Sequence, residues 1–277
     1  MNLSFSKIDT YTKCGVKYYL KYVKGIIIPS PTPVILGQAV HHAFEKFFLE
    51  KLSGNILSVS DVLDIFSDKI DSLFSEEVLL SEEEKELGLD RVKGECKDAG
   101  VAAIKGYYTK RALEIEPFLV EQEFQVDLMK VINDLYIDDE DLQLDIQVKL
   151  FGYFDLITSE KAIHDLKVKT YKPKKDEADK SQQLSLYTLA YKELLGEFPE
   201  KITLENIVLP GKLEKTPAQV IIQETKRTEE DIKRALRRTL RVINGIRKGV
   251  YIPPDQSSWL CQYCGYRKLN ICKDYVL

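Results

Sequence analysis

Two short apolar segments, Phe151-Gly152-Tyr153-Phe154-Asp155-Leu156-Ile157 and Ala162-Ile163-His164-Asp165-Leu166-Lys167, are each interrupted by a carboxylate. A tight turn centred on Glu160, within Thr158-Ser159-Glu160-Lys161, would pair them antiparallel and set Asp155 directly opposite Asp165. Like charges at paired strand positions, with β-carbons roughly 5 Å apart, destabilise a sheet unless positive charge lies between them. A divalent cation meets that need. Asp165 and Lys167, two apart on one strand, project from the same face while Leu166 points into the core. Mg2+ prefers carboxylates, carbonyls and water in octahedral array, so Asp155, Asp165 and the backbone carbonyl of Leu166 make a partial shell. Such a shell suits in-line attack of water on a phosphorus centre, with Lys167 orienting that water or stabilising the charge that develops. The competing reading is a pair of surface acids with Lys167 as their counter-ion.

A second group is built from sulfur. Cys261-Gln262-Tyr263-Cys264 followed by Cys272 places three thiols close together near the C-terminus. Three thiolates want a fourth ligand, and spacing alone does not separate zinc from an iron–sulfur cluster. Five cysteines are an odd number in a chain large enough to fold without staples. That argues for reduced thiols rather than a disulfide framework.

The elements that must position these residues follow from periodicity. A helix over 6–24 begins at Ser6, with Asp9 as a capping-box-like partner. It carries Cys14 among Tyr11, Tyr18, Tyr19 and Tyr22, interleaved with Lys7, Lys13, Lys17 and Lys21. The plain reading is aromatic core and solvated lysines; the sharper one is base stacking between phosphate contacts. After Pro29-Ser30-Pro31-Thr32-Pro33, a second helix runs from about Gly37 to Leu52, with His41 and Glu45 on one face. The polar helical stretch 54–117 reads as an insertion, its Glu82-Glu83-Glu84 run as a solvated face and its Cys96 as a buried thiol. Strands follow at Phe118–Leu128, Val131–Ile137, Leu142–Ile157 and Ala162–Val168. A helix over Asp179–Leu195 stops at Gly196. Strands at Ile202–Leu209 and Ala218–Glu224 lead to a basic helix over Glu229–Lys248 and a cysteine-bearing segment, 251–277. The predicted architecture is one α/β domain over 1–277, a central mixed sheet flanked by helices.

Composition bounds the partners. The 277 residues, 44% hydrophobic and 30% charged, can bury a substantial core. With 40 Lys+Arg against 44 Asp+Glu, a net charge of -4 gives no global attraction to a polyanion. Phosphate contacts must come from local patches, and the candidates are Lys167, Lys169, Lys172, Lys174 and Lys175, and Arg234, Arg237, Arg238 and Arg241. The N-terminus lacks a basic region plus apolar run and no stretch approaches a membrane span, so a cytoplasmic protein with no membrane partner is expected.

Four blocks together carry a resemblance. Gly37-Gln38-Ala39-Val40-His41 with Glu45, Gly152-Tyr153-Phe154-Asp155, Asp165-Leu166-Lys167, and Gln183-Leu184-Ser185-Leu186-Tyr187 occur in the order seen in RecB-like nucleases of the PD-(D/E)xK family. The resemblance implies a restriction-endonuclease-like core and a Mg2+- or Mn2+-dependent DNA exonuclease of recombination, repair or foreign-DNA processing. It implies His41, Asp155, Asp165 and the Leu166 carbonyl as metal ligands, Lys167 as the catalytic lysine, and Gln183 and Tyr187 as a supporting helix face. The iron–sulfur members, AddB-type and CRISPR-associated nucleases, place one cysteine early and three late. Cys14, Cys261, Cys264 and Cys272 would then hold a [4Fe–4S] cluster, with zinc as the alternative. DNA is the implied partner, in company with a helicase or a CRISPR or recombination complex. The competing readings are a non-catalytic DNA-binding subunit and a zinc-stabilised structural module of a larger helicase–nuclease or CRISPR complex. Two departures stand out: Lys167 is followed by Val168-Lys169-Thr170 where the family has an earlier threonine, and the Cys264–Cys272 interval is slightly long.

Overall fold

Apolar runs that alternate or persist over five to ten residues settle into one mixed sheet of six strands in the computed structural model, which describes residues 1–135, 137, 147–211 and 218–275. The strands are β1 (Asn2–Ser4), β2 (Pro117–Asp127), β3 (Lys149–Thr158), β4 (Ala162–Lys169), β5 (Lys201–Val208) and β6 (Gln219–Thr225). β3 is the pivot. Along one edge it pairs antiparallel with β2 from end to end. Its other edge is shared: β1 pairs parallel at Lys149–Phe151, and β4 pairs antiparallel only at Leu156 and Ile157. β5 then adds parallel to β4, and β6 antiparallel to β5.

Seven longer helices cover the sheet: α1 (Phe5–Lys13), α2 (Thr32–Leu52), α3 (Val59–Phe74), α4 (Leu89–Lys110), α5 (Leu128–Asp134), α6 (Gln182–Leu195) and α7 (Glu229–Arg247). Their ends are chemically specified. Ser58 with Asp61 and Thr228 with Asp231 form capping boxes at α3 and α7. Pro33 sits in the first turn of α2, where a missing N–H costs nothing. Gly196 closes α6 at φ 79°, a left-handed conformation that glycine adopts without strain.

The sheet divides the core. One cluster, including Ile8, Ile163, Leu184, Leu204, Leu236 and Ile243, lies under α1, α6 and α7. The other, including Val40, Phe44, Phe66, Ile104, Leu166 and Ile207, lies under α2, α3 and α4. The polar stretch 54–117 therefore supplies half of the second layer. No helix among the described residues is long and apolar enough to cross a membrane.

The expected elements are corrected in four places. Residues 128–134 form α5 where a strand was expected from Val131; Leu128, Val131 and Ile132 are buried at helical spacing, and the Asp127 carboxylate accepts the Met129 and Lys130 N–H groups. The first helix is capped by Ser4, not Ser6, and Asp9 pairs with Lys13. It breaks at Cys14, whose extended backbone opens a short helix, Gly15–Tyr18, and a π-helical turn, Tyr19–Val23. The helix expected from Asp179 is a single turn, Glu177–Lys180, and then α6, capped by Ser181. The strand expected from Leu142 begins, within the described residues, at Lys149; 142–146 lie outside them.

Candidate active site

The β3–β4 ladder runs Ile157↔Ile163 and Leu156↔His164 and then stops. The next step of the same register is Asp155 against Asp165. Instead of a backbone pair, the Asp155 side chain accepts the Leu166 N–H at 2.9 Å through Oδ2. Asp155 thus stands in the crotch of a fork where two strands part. β3 is irregular at this point: Phe154 packs in the core layer under α6, while Leu156, two residues on, packs in the layer under α2. A regular strand would keep them on one face.

The expected groups converge on the fork. Asp165 is 1% exposed. Its Oδ1 accepts from Lys167 Nζ at 2.8 Å and from Gln183 Nε2 at 3.2 Å, and the same Gln183 amide donates to the Tyr187 hydroxyl at 2.8 Å. Its Oδ2 lies 2.7 Å from Lys167 Nζ but out of line, and receives no hydrogen bond. His41, one turn of α2 above, points Nδ1 at Asp155 Oδ2 from 3.8 Å, whereas His42 turns to Glu45 at 3.2 Å. Leu166 buries its side chain on the opposite face, in the α2 layer.

The electrostatics are those of a site short of positive charge. Burial pushes the Asp165 carboxyl up, with the Lys167 ammonium pulling the other way and the Asp155 carboxylate adding to the rise. Lys167 is held above its ordinary range: burial alone would lower it, but Asp165 and Asp155 outweigh that. Burial, then Asp165 and Asp155, also raise the Tyr187 phenol, which stays protonated as a hydrogen-bonding group.

One acid escaped the sequence reading. Glu121 on β2 occupies the register position across from Asp155 on the other side of β3, between the pairs Val120↔Leu156 and Gln122↔Phe154. Burial, with Asp155 and Glu45 nearby, raises its carboxyl to about 7. Its φ is 46°, rare for a side chain with a Cβ. Glu123, two residues along β2, is exposed, and Glu45 pairs with His42 and Lys46. No sequence signal distinguished Glu121 from its neighbours; only register and backbone conformation do.

Behind the fork, on the other face of the sheet, lies a buried polar network. Glu205 is fully buried and accepts from Arg111 Nε at 3.0 Å and from the Tyr107 hydroxyl, and its Oε1 lies 2.7 Å from His164 Nδ1. Burial would raise this carboxyl, but His164, Tyr107 and Arg111 together hold it below the usual range. The network ties α4 to β4 one residue before Asp165.

The cysteine segment is organised differently. Cys14, Cys264 and Cys272 pack around Val16, Leu20 and Tyr266 in a small third cluster. Burial raises the Cys14 and Cys272 thiols, and in each case Cys264 and Cys261 lie close enough to push further the same way. Cys14 Sγ also accepts the Lys17 N–H at 3.2 Å. The two ends of the chain meet at Gly15, whose N–H donates to Ile252 O at 2.8 Å; a Cβ there would stand 2.6 Å from Ile252 N, so only glycine allows the approach. The tyrosines of the first helical segment do not form an open row: Tyr18 is buried, Tyr11 and Tyr19 are half-buried, and all three pack against Tyr251. Cys96 is half-buried against the α2 layer, apart from this cluster.

Among the described residues, no group of three or more His, Cys, Asp or Glu side chains is arranged to hold a metal ion. Both donor sets nonetheless fit one chemically. Asp165 Oδ2 is a buried carboxylate oxygen that receives no in-line hydrogen bond, and its one close charge, the Lys167 ammonium at 2.7 Å, is shared with Oδ1, so the oxygen keeps a lone pair for a further cation. Four thiols without an acid among them suit a soft metal.

Comparison with known proteins places these features. The family described as the PD-(D/E)XK nuclease superfamily matches residues 2–273. Among solved structures, that of a "Putative exonuclease" from Eubacterium rectale superposes with a TM-score of 0.52 at 14% identity, covering 95% of this chain and 87% of that one. At that identity the likeness shows the fold alone. The structure of SSO0001 aligns at 16% identity over 82% of this chain and 93% of that one, with a TM-score of 0.36 that carries no argument. No curated protein matches the chain.

Proposed function

The chain belongs to the PD-(D/E)XK nuclease superfamily, and from that membership we propose that it is a DNA exonuclease of the RecB-like branch, loaded with Mg2+ or Mn2+ at the strand fork. The observation that carries the reading is Asp165: buried, one oxygen without a donor, beside Lys167 and facing Asp155 across the parting strands. His41, Asp155, Asp165 and the Leu166 carbonyl are the proposed ligands, with Glu121 as an added acid. A divalent cation held there supplies charge neutralisation at the phosphorus centre and a more acidic water.

The chain's own groups do the rest. Lys167, kept protonated by two carboxylates, donates to the phosphoryl oxygens or orients the attacking water. Gln183 anchors Asp165 and so ties α6 to the fork, and its amide is held in place by a second hydrogen bond to the Tyr187 hydroxyl one turn on. Lys172, Lys174 and Lys175, exposed on the loop that leaves β4, receive the phosphate backbone. We assign the four cysteines to a [4Fe–4S] cluster that staples the terminal segments, and the helices of 54–117 to an insertion within one nuclease unit. The resemblance points to DNA repair, recombination or foreign-DNA processing, with a helicase or CRISPR-type partner.

Anaerobic purification followed by digestion of end-labelled DNA tests this directly. Expected are brown protein containing iron, shortening of the DNA from an end with Mg2+ or Mn2+, and loss of cutting in Asp165→Ala. Folded wild-type protein that binds DNA but is inert with both metals would leave a non-catalytic DNA-binding subunit. Colourless protein containing zinc would replace the cluster.

A further inference from the structure

Four arginines on α7 divide into two pairs. Arg234 faces Asp231 at 3.6 Å and Arg237 faces Glu230 at 3.1 Å. Arg238 and Arg241 form no ion pair and donate no hydrogen bond among the described residues, and both line a cleft of about 390 Å³. Across it stand Tyr11 and Lys13 of α1, and its end is walled by Ile252 and Pro253. The wall is fixed, because the Ile252 carbonyl holds the Gly15 N–H and the Val250 carbonyl holds the Tyr11 hydroxyl. The lining contains no acid; of the acids close by in sequence, Asp9 is paired with Lys13 at 2.7 Å and Asp255 accepts from the Ser257 N–H and hydroxyl.

Two uncompensated guanidinium groups in a preformed cleft, on a chain whose net charge is -4, are a local reversal of sign that calls for an anion. Guanidinium recognises phosphate by paired hydrogen bonds. Arg238 and Arg241, three residues apart, are about 4.5 Å apart along the helix axis, so they address two points of one extended ligand. A cleft of about 390 Å³ has room for the backbone of one strand, and the Tyr11 ring and Pro253 offer an apolar wall to a sugar or base. We infer that this cleft between α1, α7 and the 250–254 connector is a second nucleic-acid site, which grips the phosphodiester backbone of a single strand away from the strand fork. The inference rests on the nuclease reading for the class of ligand only.

The test is binding of a short labelled single strand to the holoprotein in an EDTA buffer across a salt series, where no cutting can occur. In Arg238→Gln/Arg241→Gln, which keeps part of the side-chain stems, affinity is expected to fall on the order of tenfold at low salt. The slope of log K against log salt should flatten by about 1.4, two contacts at roughly 0.7 each. Arg234→Gln/Arg237→Gln, the ion-paired couple, should leave the slope as in the wild type. An unchanged slope in the Arg238/Arg241 variant overturns the inference. So does a mononucleotide that binds as tightly as the strand and loses the same factor, which would make the cleft a small-anion pocket. Wild-type protein that binds by this pattern yet never cuts with Mg2+ or Mn2+ defeats the catalytic reading and leaves this one standing.

Discussion

The strand fork and the cysteine segment are both sites where like-charged or electron-rich groups gather, but the protein holds them in opposite ways. At the fork, every contributing side chain rises from a long element packed into a core layer, and Asp165 is fixed by Lys167 and Gln183 before any ion arrives. At the cysteine segment, the carriers are a helix break at Cys14, a four-residue helix bearing Cys261, the cap of a second bearing Cys264, and a turn at Cys272, resting on three buried residues. The first site is organised by the fold. The second rests on a small apolar cluster and on the Gly15–Ile252 and Tyr11–Val250 hydrogen bonds, and on the proposed function a bound metal would complete it.

Four experiments break or sharpen that contrast. The largest effect is expected from Asp165→Ala, which should abolish divalent-metal-dependent DNA cleavage by at least about a thousandfold while circular dichroism remains that of the folded chain. If cutting persists, the fork is not the catalytic centre. Next comes Glu205→Gln on β5, behind the fork. It strips Arg111 and His164 of a buried anionic partner and should cost about 3 kcal/mol in denaturant unfolding, with the whole sheet melting as a unit. A change below about 1 kcal/mol would show that the network is dispensable.

Cys264→Ser should cost less in global melting than Glu205→Gln but should lose the iron proposed for this segment and expose residues 250–275 to protease, with strand-fork melting little changed. Loss of the sheet's cooperative transition in this variant would erase the distinction between the regions. The smallest effect concerns Glu121. Its proton is held in the folded chain up to about pH 7, against an ordinary 4.5. Its contribution to stability is therefore complete below about pH 4.5 and declines as pH rises through about 7. Glu121→Gln should remove that decline, gaining about 1 kcal/mol at pH 8 relative to pH 5 after allowance for solvent screening. Mg2+ should shrink the difference by favouring the carboxylate.

What was legible in the sequence follows from the range of the interactions. The hairpin was readable because its register depends on a few consecutive residues and one turn, and Lys161 duly takes φ 59° beside Glu160. Gln183 and Tyr187 were readable as a pair because helical spacing alone puts them together. α5 departs from the expected strand because Val131 and Ile132 suit a strand as well as a helix, and it is Asp127, capping the chain before Leu128, that decides for the helix. Glu121 and Glu205 could not be read. Each owes its character to strands distant in sequence, and Glu205 to Tyr107 and Arg111 roughly a hundred residues earlier.

Because Asp155 receives the Leu166 N–H through its side chain, it is at once a rivet of the sheet and a reagent. Replacing it with alanine strands a main-chain donor as well as removing a negative charge, so a poorly behaved alanine variant would say nothing about chemistry. Asparagine keeps the acceptor and discards the charge, and is the substitution through which the two duties of this residue can be told apart.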